Sequence, residues 1–141
     1  MWHTGTGKIV YDPFRGKMKK RTAWWCVLEV DKEITRYYRW WIEKELHIHS
    51  LVQPAWDAHI SIIRGEEPAD NLKHLWKKYH GQKVEFKYGH VPERIEEKPN
   101  RKSTDIVWAI KVRSPFLLSI RDELGRPSDW GLHLTVGKEN Y

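Results

Sequence analysis

The stretch "WDAHISIIRG" (residues 56–65) comes back near the C-terminus as "WGLHLTVGKE" (130–139), and reading the two as one repeated strand decides the fold. Aligned without a gap, Trp56 meets Trp130, His59 meets His133, Ser61 meets Thr135 and Arg64 meets Lys138. In the first copy Trp56, Ala58, Ile60 and Ile62 alternate with His59 and Ser61. Period two therefore sends the apolar set to a core and turns the imidazole and hydroxyl together to the other face.

Each histidine strand is preceded by a strand and a helix. "TAWWCVLEV" (22–30) is rich in aromatic and β-branched residues and reads as a central strand. Asp31 then caps a helix in which Ile34, Tyr37, Tyr38, Trp41, Ile42 and Leu46 form the apolar stripe, with Arg36, Arg39, Glu43 and Lys44 opposite. In the second half, "STDIVWAIKV" alternates Ile106, Trp108, Ile110 and Val112, Ser114 and Pro115 open a helix as N-cap and first residue, and Gly125 closes it. Strand, helix, histidine strand thus occurs at 22–63 and again at 103–137.

Between the copies, "HIHSLVQP" is a connector, and Leu72, Leu75, Trp76 and Tyr79 predict a second amphipathic helix at i, i+3, i+4, i+7. "KVEFKYGHV" reads as a strand, and "PERIEEKPNRK", charged and holding two prolines, as a mobile loop fit to act as a lid. The expected architecture is a single α+β domain over residues 1–141 with two similar lobes. Lobe one covers about 22–91, and lobe two covers about 103–141 together with the N-terminal segment. Each lobe is a small, mainly antiparallel sheet with its helix outside, and both motifs line the central cleft.

Composition limits what the motifs can belong to. A chain of 141 residues, 40% hydrophobic with nine tryptophans, suits one domain with a full core. No run of about 18 apolar residues spans a membrane, and "MWHTGTGKIVYD" lacks the long apolar region of a signal peptide, so a cytoplasmic protein is expected. The one cysteine, Cys26, sits in an apolar run and reads as a small buried hydrophobe. Lys and Arg number 25 against 19 Asp and Glu, a formal +6 that favours anionic partners. The excess is densest in "RGKMKKR", where Arg15, Lys17, Lys19, Lys20 and Arg21 make either a solvated loop or a phosphate-attracting rim.

On each motif strand the imidazole and hydroxyl project from one face about 6.6–6.8 Å apart, within reach of different atoms of one phosphate. Histidine titrates near neutral pH, so one imidazole can be neutral while the other is charged. Phosphodiester cleavage needs a base for the attacking hydroxyl or water, an acid for the leaving oxygen, and donors for the phosphoryl oxygens. His59, His133, Ser61 and Thr135 fill those roles as the catalytic candidates.

Duplicated His-x-Ser/Thr motifs inside hydrophobic flanks, here "HIS" and "HLT", resemble those of the 2H phosphoesterases. The resemblance covers the two motif strands and, more loosely, the repeated units over most of the chain. It implies a metal-independent hydrolase of nucleotide phosphodiesters that needs no cofactor. The size is most similar to that of compact phage (anti-CBASS-type) members that cleave cyclic oligonucleotide second messengers, which implies an anti-defence role in a host cytoplasm. Other members act as 2′,3′-cyclic phosphodiesterases or RNA end-repair enzymes, so an RNA-derived substrate stays open. Tyr11, Arg64, Lys138, Glu139 and Tyr141 are substrate-binding candidates by position. In a regular strand, parity would turn Arg64 and Lys138 away from the histidines.

Two other readings compete. A metal site could be built on the His47-x-His49 pair, but hydroxyls rather than Cys or carboxylates accompany the motifs, so no metal is assigned. A module that binds nucleotide or RNA without turnover would use exposed aromatics for stacking. Trp24, Trp25, Trp40 and Trp41 could be cited for it, yet Trp41, Trp56, Trp76, Trp108 and Trp130 fall on expected core faces, leaving Trp2 and Trp40 free.

Overall fold

A computed structural model describes residues 1–14, 22–48, 51–52, 58–95 and 106–139. The alternating apolar residues form strands β1 (Trp2–Tyr11), β2 (Trp25–Glu29), β3 (Leu51–Val52), β4 (His59–Arg64), β5 (Lys83–Gly89), β6 (Glu93–Ile95), β7 (Ile106–Arg113) and β8 (His133–Glu139). Helix α1 (Lys32–Glu45) lies between β2 and β3, and α2 (Pro115–Glu123) between β7 and β8. Rather than two separate sheets, the strands make one, in the order β3-β8-β4-β2-β1-β5-β7-β6, with every pairing antiparallel. A further ladder between β7 and β8 closes β1, β2, β4, β8, β7 and β5 into a small barrel, with short β3 and β6 alongside. Closure removes the long unpaired edges that an open sheet of this size would expose.

One face of the sheet carries the main core. Ile9, Leu28, Ile60, Ile62, Ile110, Leu134 and Val136 are fully buried in one cluster with Tyr38 and Ile42 of α1, Leu117 and Ile120 of α2, and Leu124, which caps α2. Helix ends follow the expected chemistry. The Asp31 carboxylate accepts from the Glu33 amide at 2.9 Å, and the Ser114 hydroxyl accepts from the Leu117 amide at 3.3 Å, satisfying donors that the first turn leaves without partners. Gly125, just past α2, takes φ 74°, a left-handed stop. Cys26 is buried in the core, and desolvation pushes its thiol pKa up, as a small hydrophobe requires. No helix among the described residues is long and apolar enough to cross a membrane.

Several elements depart from the sequence reading. Residues 70–79 are not an amphipathic α-helix: a 3-10 segment, Asp70–Leu75, ends at Trp76 with extended backbone, and Lys77 takes φ 73°. The break frees Trp76 to donate to Asp12 at 3.2 Å and to pack edge-on against Tyr11 and Trp24, contacts a continued helix could not all reach. Part of the expected charged loop pairs with β7 as β6, and its remainder, 96–102, lies outside the described residues. So does the basic stretch 15–21. The stripe of α1 is rotated: Thr35, Tyr38 and Ile42 are buried with Arg39 beside them, while Tyr37 is 53% exposed.

The sequence reading has no strand at β1, because "WHTGTGKIVY" is polar and glycine-rich in its first half. Its glycines answer to close approach. A Cβ on Gly7 would lie 2.6 Å from both the Glu29 carbonyl oxygen and Leu28 Cγ. We expect Gly7→Ala to destabilise the fold by about 1–3 kcal/mol, the usual range for overpacking, despite alanine's lower backbone entropy. Chemical denaturation measures this, and an unchanged midpoint would show that β2 gives way freely.

Candidate active site

β4 and β8 pair antiparallel at Ile60 and Leu134, both fully buried in the core. Antiparallel partners point to the same face, and their chain neighbours point to the other. His59 and Ser61 on β4 therefore share the opposite face with His133 and Thr135 on β8, flanking that one pair. The register sets His59 across from Thr135 and Ser61 across from His133, so each imidazole neighbours the other motif's hydroxyl. His133 is exposed; His59, Ser61 and Thr135 are half-buried.

Beneath them lies a small apolar floor. Trp25, Val27 and Ala109 are buried but stand outside the main core cluster. Val27 pairs with Ser61, and Ala109 with Thr135. Trp25 meets His59 edge-on with ring centroids 5.7 Å apart, and its Nε1 donates to Ser61 Oγ at 3.2 Å. Because the indole fills an acceptor position of that hydroxyl, the Ser61 O–H keeps its own proton to give to a ligand oxygen. Trp130 Nε1 donates to the Ser61 carbonyl at 3.3 Å, tying the segment before β8 to β4.

Arg64 and Lys138 lie on the histidine face despite standing three residues beyond the motif hydroxyls. In the β2–β4 ladder Val27 pairs with Ser61 and Cys26 with Ile63, so Ile62 is an inserted residue. In the β7–β8 ladder Ala109 pairs with Thr135 and Trp108 with Gly137, so Val136 is inserted at the same place. Each β-bulge shifts the alternation by one residue. The Arg64 guanidinium accordingly sits 5.7 Å over the Trp25 ring, and Lys138 pairs with Val107 on the Ala109 side of β7. The parity expected of regular strands is thus corrected in both copies. Lys111, which the sequence reading passed over, pairs with His133 and so shares its face, with an exposed 3.3 Å ion pair to Glu93. Glu29 pairs with His59 in the same way.

The other candidates lie elsewhere. Tyr11 is 3% exposed in the main core against Trp76, and desolvation raises its phenol pKa. Glu139 is 2% exposed, accepts from Trp108 Nε1 at 3.0 Å and pairs with Arg94 at 3.3 Å. It follows Lys138 on β8 and faces the opposite side. Tyr141, Trp56 and His49 lie outside the described residues. Among the described residues no group of three His, Cys, Asp or Glu side chains converges as a metal site. Trp2 and Trp40 are 40% and 52% exposed, and neither belongs to the motif floor.

Searches against protein-family models, curated proteins and solved structures find no match for the chain.

His133 Nδ1 lies 3.0 Å from the Gly131 carbonyl oxygen. A carbonyl only accepts, so Nδ1 carries the hydrogen and the neutral ring keeps a bare Nε2 suited to take a proton. We expect 15N NMR of the neutral protein to show a protonated Nδ1 and an unprotonated Nε2 at His133; the reverse tautomer would remove this hydrogen bond from the account.

Proposed function

We propose that the protein is a phosphodiesterase in which His59 and His133 serve as the acid–base pair and Ser61 and Thr135 hold the phosphoryl oxygens. The observation that carries this reading is the Ile60–Leu134 pair, which brings two His-x-Ser/Thr motifs from distant parts of the chain together on one face. Arg64, Lys138 and Lys111 on the same face supply positive charge for an anionic phosphodiester. The doubled motif, the doubled bulge and the strand and helix that precede each of β4 and β8 support a two-lobed, pseudo-symmetric arrangement of the 2H phosphoesterase kind.

In this reaction one histidine, neutral, takes the proton of a ribose hydroxyl or water as its oxygen bonds to phosphorus. The other, charged, gives its proton to the leaving oxygen as that P–O bond breaks. Hydroxyl donors at Ser61 and Thr135 meet the charge that builds on the non-bridging oxygens. A cyclic oligonucleotide second messenger is the substrate we propose, on the resemblance to compact phage enzymes that cleave such signals, with turnover in a host cytoplasm. A 2′,3′-cyclic phosphate at an RNA end uses the same four groups, and product mass separates the two.

A panel of cyclic oligonucleotides and 2′,3′-cyclic phosphates, read by mass spectrometry, tests the reading. We expect turnover of a cyclic oligonucleotide, a loss of about 10²- to 10⁴-fold on His59→Ala or His133→Ala, and a bell-shaped rate against pH whose limbs belong to the coupled pair. Since acid, base and donors are all side chains, chelation should leave the rate unchanged. Binding without conversion anywhere in the panel would make the protein a non-catalytic nucleotide or RNA binder, and near-normal turnover by either alanine variant would remove the paired mechanism.

A further inference from the structure

Two arginines outside the proposed chemistry each reach the backbone of a bulge. Arg39 Nη1 donates to the Val136 carbonyl at 3.0 Å, and Arg121 Nη1 donates to the Ile62 carbonyl at 2.8 Å. Val136 and Ile62 are the inserted residues of the two bulges, each following its motif hydroxyl. The arrangement is crossed. Arg39 belongs to α1, which precedes β4, yet holds the bulge of β8; Arg121 belongs to α2, which precedes β8, yet holds the bulge of β4.

Both arginines take the same place in a core-facing helical stripe, Arg39 half-buried and Arg121 buried: Thr35, Tyr38, Arg39, Ile42 in one helix and Leu117, Ile120, Arg121, Leu124 at the other. A leucine would fill such a position without the penalty of burying a charge. Arg121 is 1% exposed, and its charge is met by Glu66, whose carboxyl it holds below the usual range through contacts of 2.8 Å to each oxygen. At Arg39, burial and the nearby Arg36 pull the guanidinium below its usual pKa, so this site is also electrostatically unfavourable.

A bulge leaves its inserted residue outside the ladder, and a buried carbonyl without a donor is strongly disfavoured. Remove the donor, and the strand gains by slipping into regular register. A slip of one residue turns the following side chains to the opposite face. We propose that Arg39 and Arg121 are positioning residues that hold the two bulges and so keep Lys138 and Arg64, respectively, on the histidine face. The assignment rests on reading that face as an anion site, and it predicts which arginine serves which cation.

Crossed double-mutant cycles test it, with inorganic phosphate as the probe and its dissociation constant read by NMR titration of the intact chain. We expect Lys138→Met and Arg39→Met each to weaken phosphate binding about two- to fivefold, in the range of an exposed charge contact, and the double variant to lose no more than either alone. Arg39→Met combined with Arg64→Met should multiply the two losses. Arg121→Met should show the reverse pattern, coupled to Arg64 and independent of Lys138. Arg39→Lys, which keeps a donor on a long stem, should recover most of the affinity.

Multiplied losses in the Arg39–Lys138 pair, or no phosphate binding by the parent chain, would overturn the assignment. Unfolding of both Arg39→Met and Arg39→Lys would make the arginine a fold-stabilising group and overturn it as well. Phosphate affinity is read without turnover, so crossed coupling in a chain that cleaves nothing would refute the proposed reaction and leave the positioning role standing.

Discussion

Ile60 and Leu134 meet across the seam between β4 and β8 because both are fully buried and neither strand can turn its apolar row outward without opening the core. That packing demand fixes the register, and the register fixes everything on the other face. A one-residue slip at this seam would place the imidazoles in the core and the isoleucine and leucine in solvent. The candidate site is thus specified by hydrophobic burial on the opposite face of the same two strands. The polar groups need only be the residues that remain.

Beyond the seam, the bulges add a second layer of control. A regular strand offers a ligand every second residue, which would leave the cations after each motif facing the core. Inserting Ile62 and Val136 brings Arg64 and Lys138 onto the histidine face and twists both strands locally. The helices then serve two purposes with one stripe each, packing apolar side chains on the sheet while passing a guanidinium through to an inserted carbonyl. Such dual use accounts for arginine at core-facing positions that packing alone would fill with leucine.

Much of this was legible in the chain. The repeated "HIS" and "HLT", the alternation around them, and the caps at Asp31 and Ser114 depend on local periodicity and local hydrogen bonds, which sequence carries directly. What was not legible depends on partners distant in sequence. β1 is a strand because β2 and β5 flank it, and its glycines make sense only once Leu28 and Phe86 are seen against them. In the sequence Trp25 is one aromatic of a central strand, but its indole lies under Ser61 and His59. The bulges did leave a trace. "SIIR" and "TVGK" each hold two non-polar residues in succession where alternation calls for one. Helical spacing sets Arg39 on the solvent face and cannot anticipate a buried acceptor on another strand.

The central claim is that His59 and His133 belong to one anion site made by a single strand seam. A phosphate titration followed through the imidazole 1H–15N resonances tests it most directly. The account predicts that both histidines shift along saturation curves with a common midpoint, and that Thr135→Ala, across the seam from His59, perturbs the His59 curve. Independent midpoints, or a response from one histidine alone, would contradict it.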